Sequence, residues 1–308
     1  MRAGTVEGRV SSRERGSGTE RLLRRQAGVI SRAQAVDAGL SPDAVDRRLA
    51  ARRWLPVHPR VYRDRAHPPS DAARVWAAVL WAGEGAVLSG VAAEWWHRPV
   101  GALTGPVTVT VPRRRSPRPR PDVEVRRRDL PAADRMSLRG LAVTAPALTA
   151  LEAAVESGVS GARFHDRAVR AGLDVDEVSR AYSRGLGCAG SASMRTLLVG
   201  AAERSDSVAR RLLVRRLRTA RLVGWRTAHP VPGLGPAVAF PQVRIAIQVE
   251  GWAGHLDSDR RGADAWRRSV ASRSGWTVLR YSWQDLTSRP AVVVAEIGDA
   301  VATVRRAC

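Results

Sequence analysis

Lysine and asparagine are absent from the 308 residues, so all 51 permanent side-chain cations are arginine. Cysteine is nearly absent: Cys188 and Cys308 supply neither a disulfide framework nor a zinc site. Phe and Tyr are scarce, 2 and 3 residues against 10 Trp, so the cores must be built from Ala, Val and Leu with Trp as the large filler. The longest apolar run, around Trp76–Ala82, falls far short of the ~20 residues that cross a bilayer. The first twenty residues lack the apolar segment of a secretory signal. A cytoplasmic protein without a membrane partner is the expectation. Charged residues reach 26% but are of mixed sign, and the apolar share of 44% is too high for a wholly disordered chain.

The charge is what the sequence has in excess. Fifty-one basic against 29 acidic residues give +22. A GC-rich coding bias exchanges Lys for Arg, but it creates no surplus over Asp and Glu. The surplus is +6 over 21–105, +6 over 106–150, zero over 151–200 and +9 over 201–308. Two basic ends around a neutral middle call for a polyanion, and nucleic acid ranks ahead of anionic membrane because no amphipathic anchor is present.

Residues 1–19, rich in Gly, Ser and Arg, read as a mobile tail. Three helical signals follow. Glu20–Gln26 is stopped by Gly28, Ser31 caps RAQAVDAG, and Ser41 with Pro42 opens PDAVDRRLAARR. Only Gly39-Leu40-Ser41 separates the second and third, which is a helix-turn-helix spacing. The Pro-broken, β-prone WLPVHPRVYRD then suits a small wing hairpin, and helices near 70–82 and 88–97 close a winged-helix domain over 20–104. Residues 105–200 read as a strand pair (PVTVTVP and DVEVRRR), the basic loop RRRSPRPRP between them, and a helical linker. From 201 to 308, a helix at 206–219, strands at 237–240, 243–250 and 276–283, and helices near 258–273 and from Pro290 predict an α/β layer. The expected fold is thus α+β and α/β multidomain: winged helix-turn-helix, middle α/β segment, C-terminal α/β domain.

In the third helix Val45 and Leu49 share the core-facing side, while Arg47, Arg48, Arg52 and Arg53 are expected to project outward. Such residues anchor phosphates and contact guanine in the major groove; the plain alternative is a solvated Arg-rich face. Arg113, Arg114 and Arg115, held extended by neighbouring prolines, are a second candidate contact with double-stranded DNA, or equally a solvated loop. Six scattered histidines show no ligand spacing.

The segment GVISRAQAVDAGLSPDAVDRRLAARRWLPVHPRVYR resembles the N-terminal winged helix of the AbiE-type (type IV toxin–antitoxin) antitoxins. That resemblance implies operator binding, repression and a possible cognate toxin protein as partner; a palindromic operator would imply a dimer.

Strand VRIAIQVE sets Val243, Ile245, Ile247 and Val249 on one face and Arg244, Ala246, Gln248 and Glu250 on the other. Metal-dependent nucleases need such a frame, with acidic residues at i and i+2 converging on Mg²⁺. Residues 207–301, through SVARRLLVRRLR, VAFP, IAIQVEGWAGH, DAWRR and SGWTVLRYSWQDLTSRPAVVVAEI, resemble the Vsr-like endonucleases of the PD-(D/E)XK superfamily. The resemblance implies a restriction-endonuclease-like α/β domain and assigns its acidic ligands to Arg210, Ala237, Gln248 and Glu250, so most of them are replaced. His255, Asp264, Arg267 and Arg268 sit where that family has like residues, with the two arginines as DNA contacts. No metal site and no cofactor are expected on this mapping, and the domain reads as a pseudo-nuclease inside a transcriptional regulator or antitoxin-like repressor. The competing reading is an active Mg²⁺- or Mn²⁺-dependent endonuclease rebuilt around Glu250, Asp264 and His255 or Asp257; a third is a toxin-neutralising interaction protein.

Overall fold

The computed structural model describes residues 12–250 and 258–307. The chain is a mixed α/β protein whose helices and three sheets fall into two compact units, Met1–Ser157 and Gly158–Cys308.

The first unit opens with helix α1 (Ser12–Arg25), so the helix expected from Glu20 begins eight residues sooner, within the stretch read as tail. Strand β1 (Val29–Ser31) leads into α2 (Arg32–Asp37) and α3 (Pro42–Ala50). Both short helices start where the sequence puts a cap. Ser31 and Gln34 complete a reciprocal capping box, and the Ser41 hydroxyl accepts the Ala44 N–H ahead of Pro42 in the first helical turn. Strands β2 (Trp54–His58) and β3 (Val61–Asp64) form the expected hairpin, and β1 adds to its free side in the order β1-β3-β2. Leu23, Ile30, Ala35, Leu40, Val45, Trp54 and Tyr62 make the small core of this module.

Helix α4 (Asp71–Ala82) packs against β1, β2 and β3 as expected, Val29 and Val61 entering its core, but α4 and α5 (Gly90–His97) also pack on a second sheet. They cover a five-stranded sheet, order β6-β5-β4-β8-β7, built from β4 (Val87–Leu88), β5 (Val107–Val111), β6 (Val123–Arg127), β7 (Arg135–Leu138) and β8 (Leu141–Thr144). The expected boundary at 104/105 therefore cuts through a single core, because β4 on one side of it pairs with β5 and β8 on the other. The anticipated strand pair is real, but β5 and β6 run parallel. Helix α6 (Pro146–Glu156) ends the unit against α5. Glu152 and Glu156 meet the backbone N–H groups of Gly90 and Val91 at the start of α5, where helix-end partial charge favours carboxylates. Arg126 and Arg128 on and after β6 neutralise the pair.

The second unit begins with α7 (Gly161–Arg170) and α8 (Val175–Arg184), then α9 (Ser191–Thr219), a 29-residue helix that runs through the expected boundary at 200/201. Strands β9 (Arg226–Val231), β10 (Gly235–Phe240) and β11 (Ile245–Glu250) follow, then helix α10 (Ser258–Arg273), strand β12 (Thr277–Ser282), and helices α11 (Trp283–Ser288) and α12 (Pro290–Ala307). The sheet order is β12-β11-β10-β9; only β11 and β12 are parallel, as their connection through α10 requires. Ile245 and Ile247 on β11 enter one core with Leu213 and Leu217 of α9 and Ile297 of α12, while Ala246 joins a smaller core with Ala271 of α10. This two-sided burial explains why 245–247 runs Ile-Ala-Ile with no polar residue on either face.

Candidate functional site

Among the exposed arginines of the first unit, three lie on and just after α3. Burial of Val45 against Ala35 and Trp54 fixes which side of α3 faces outward, and Arg47 projects from it. Arg48 does not project, contrary to expectation. Its guanidinium stacks over the Trp54 ring at 5.5 Å and donates to the Ala44 carbonyl at 2.9 Å. Burial first, then repulsion from Arg53 and Arg47, pushes its pKa down. Arg52 and Arg53 are exposed, Arg52 in the left-handed turn (φ 52°) that ends α3. Together with Arg24 and Arg65 they line a groove of about 540 Å³.

Sequence reasoning missed Arg60. It is the exposed tip of the β2–β3 hairpin, at φ 61°, and its carbonyl accepts the N–H of Arg32 at 2.8 Å, tying the tip to the start of α2. The signal was His58-Pro59-Arg60 between two β-prone runs, which leaves Arg60 as the turn residue.

In the basic connection between β5 and β6, Arg113 and Arg114 are exposed. The Arg113 N–H is held by Asp129 and its carbonyl by the Arg127 guanidinium, so the backbone there is fixed. Arg115 is packed instead: its guanidinium lies over Gly83, the cap of α4, where a Cβ would come within 2.7 Å of it.

In the second unit, three of the four positions singled out by the sequence converge. Arg210 of α9, Ala237 of β10 and Gln248 of β11 line one cleft of about 170 Å³, with Asp206 one helical turn before Arg210. The pairing of Val238 with Ile247 sets Ala237 and Gln248 at the next positions of adjacent strands. The parallel pairing with β12 sets Arg280, also missed in the sequence, beside Gln248. The Gln248 Oε1 is buried and meets no hydrogen-bond donor among the described residues.

Glu250 ends β11 opposite Ser282, and Asp264 lies on α10, but their side chains fall outside the description; His255 and Asp257 lie outside the described residues altogether. Arg267 is exposed and Arg268 half-buried on α10, and neither lines the cleft. The cleft's described lining offers a divalent cation one carboxylate, Asp206, and one amide, beside the guanidinium of Arg210. Mg²⁺ and Mn²⁺ want several oxygen ligands and tolerate no cation at the same place, so this donor set does not fit them. The Arg210 guanidinium can donate to an anion's oxygens, with the Asp206 carboxylate one turn away offsetting its charge. Among the described residues no three His, Cys, Asp or Glu side chains converge, and no helix is long and apolar enough to cross a membrane.

No family model matches the chain, and no curated protein matches it either. Among solved structures, the chain is similar to the RV2827C protein from Mycobacterium tuberculosis, at 18% identity and a TM-score of 0.39, over 62% of this chain and 78% of that one.

Proposed function

We propose that the protein binds double-stranded DNA as a transcriptional regulator or antitoxin-like repressor, its second unit being an endonuclease-like domain without a working metal site. The observation that carries this reading is the run α2–turn–α3–hairpin, with Arg47, Arg52 and Arg53 exposed on and just after α3 and Arg60 at the hairpin tip. That element order is the one a winged helix uses to enter a major groove while its hairpin contacts the backbone alongside. The cleft around Arg210 and Gln248 supports the second half of the reading, since a cation and two uncharged side chains stand where the Vsr-like resemblance expects acidic metal ligands.

The test is an electrophoretic shift of duplex DNA with the full chain across a salt series. Binding that weakens steeply with salt is expected; salt-insensitive binding, or none, overturns it. One observation favours the endonuclease alternative: Asp206 is an acidic side chain already in the cleft. Incubation with supercoiled plasmid and Mg²⁺ or Mn²⁺ separates the two, because cleavage lost in both Asp206→Ala and Glu250→Ala establishes the alternative. Neutralisation of a toxin protein without DNA binding is the remaining outcome.

A further inference from the structure

The second half of α9 carries its charge on one side. Residues 207–219, SVARRLLVRRLRT, hold five arginines and no carboxylate. Ser205, Ala209, Leu213 and Leu217 are buried, and the helical period sets Arg204, Arg211, Arg215 and Arg218 on the opposite, exposed face. Arg210, one residue and ~100° round the helix from Arg211, lines the cleft, so stripe and cleft are separate surfaces.

What distinguishes these arginines is how little holds them. Arg180 and Arg289, also exposed in this unit, sit beside Asp174 and beside Asp285 and Glu296. Along the stripe, Arg204 reaches Asp166 only at 3.9 Å, and Arg218 lies over Trp225. Arg211 and Arg215 have no hydrogen bond, ion pair or ring contact among the described residues. Uncompensated cations this close repel one another, and a polyanion relieves that repulsion. From Arg211 to Arg218 the helix rises about 10.5 Å, and one strand of a duplex carries a phosphate per ~3.4 Å of axis. A lipid surface fits less well, because the apolar side of α9 is consumed by the sheet core and leaves nothing to insert.

We propose that the Arg211–Arg215–Arg218 face of α9 is a second phosphate-contact surface, by which the second unit grips duplex DNA without reading bases. This rests on the DNA-binding reading and extends it to the second unit. Guanidinium groups that meet only phosphates add affinity and salt dependence, and no sequence preference.

The test measures binding of the full chain to duplex DNA by fluorescence anisotropy across a salt series. Arg211→Gln combined with Arg215→Gln is expected to lower the slope of log affinity against log salt by about 2, equally on unrelated sequences. Arg211→Lys with Arg215→Lys should keep the parent slope. Arg273→Gln with Arg306→Gln, which removes the same charge from exposed sites off the stripe, should keep it too. An unchanged slope in the Arg211/Arg215 glutamine variant, or an equal fall in the Arg273/Arg306 variant, would overturn the assignment. So would phosphatidylserine vesicles that compete with the DNA in the parent but not in the Arg211/Arg215 glutamine variant. If Arg47→Ala with Arg53→Ala lowers the slope while the α9 pair does not, this surface alone fails; a parent that binds no duplex overturns both readings.

Discussion

Arg32 grips Asp46 with two parallel hydrogen bonds of 2.6 and 2.9 Å, joining the first residue of α2 to the middle of α3. The guanidinium holds the Asp46 carboxyl below the usual carboxylate range. The clamp fixes the angle between the two helices from their solvent side, while Val45 and Leu40 fix it from within. Asp46→Ala is expected to lower the melting temperature of the first unit slightly at low salt and not at all in 1 M salt, because the pair is exposed and screened. Differential scanning calorimetry at the two salt concentrations checks this.

The arginines around α3 divide into two classes with different expected phenotypes. Arg47→Ala combined with Arg53→Ala removes two exposed cations, and the slope of log affinity against log salt for duplex DNA should fall by about 2. Arg48→Ala should instead lower thermal stability, through loss of the stack on Trp54, with a smaller change in that slope. Identical slopes for the double variant and the parent would remove α3 from the interface.

Glu152 is 1% exposed and compensated by Arg126 and Arg128. Replacing it by Ala strands Arg128 and the Gly90 N–H, while Arg126 keeps Glu156, and a loss of about 3 kcal/mol is expected in urea unfolding. Gly90→Ala should be at least as harmful, since a Cβ there would lie 1.8 Å from Glu156 Oε1 at a φ of +59°.

His58, buried beside Asp122 in a cavity of about 280 Å³, makes the first unit acid-sensitive. Its pKa is depressed below 6.5 in the fold, chiefly by burial, with Arg120 adding to the depression and Asp122 opposing it; Arg63 and Arg74 line the same cavity. The unfolded chain therefore takes up a proton before the folded one does. Stability is complete above pH 6.5 and is lost as the pH falls below it. A series of melts from pH 7.5 to 5 should show this fall in the parent and a flatter profile in His58→Phe.

On the proposed reading, the cleft around Arg210 and Gln248 gains metal affinity by charge reversal. Arg210→Glu, Ala237→Asp and Gln248→Glu together should give a calorimetric Mn²⁺ signal at micromolar to millimolar concentration where the parent gives none. An equal signal in the parent would contradict the reading of this cleft as one without a working metal site.

Much of this was legible locally. The Ser31 and Ser41 caps, the alternation of PVTVTVP and the Ile-Ala-Ile run opening strand 245–250 each carry their structure within a few residues. What escaped depends on partners distant in the chain. Strand β4 is two residues long and exists only because β5 and β8 flank it. The hairpin of β7 and β8 turns on Arg139 and Gly140, both left-handed, and an arginine announces no such turn. Strand β9 carries Pro230 at a sheet edge, where proline is tolerated but reads as a breaker. In the candidate site, the Vsr-like resemblance set Ala237 and Gln248 in one place, and they meet across β10 and β11. Whether Arg48 points out or folds back onto Trp54 depends on the hairpin that follows it, and periodicity holds no record of that.

Helix α9 spans roughly 43 Å. Met194, Leu197 and Leu198 are buried along its first half, where it packs on α7, while Ala209, Leu213 and Leu217 sit in the sheet core along its second. Near its middle, Gly161 and Gly200 bring two backbones together so closely that a methyl group at 161 would lie 2.5 Å from the Gly200 carbonyl carbon. One rod is thus shared by two otherwise separate hydrophobic clusters. Neither can melt without fraying the other's scaffold, so amide protons at both ends of this rod should exchange at one common rate, and a nick anywhere along it should release the whole C-terminal half to proteases.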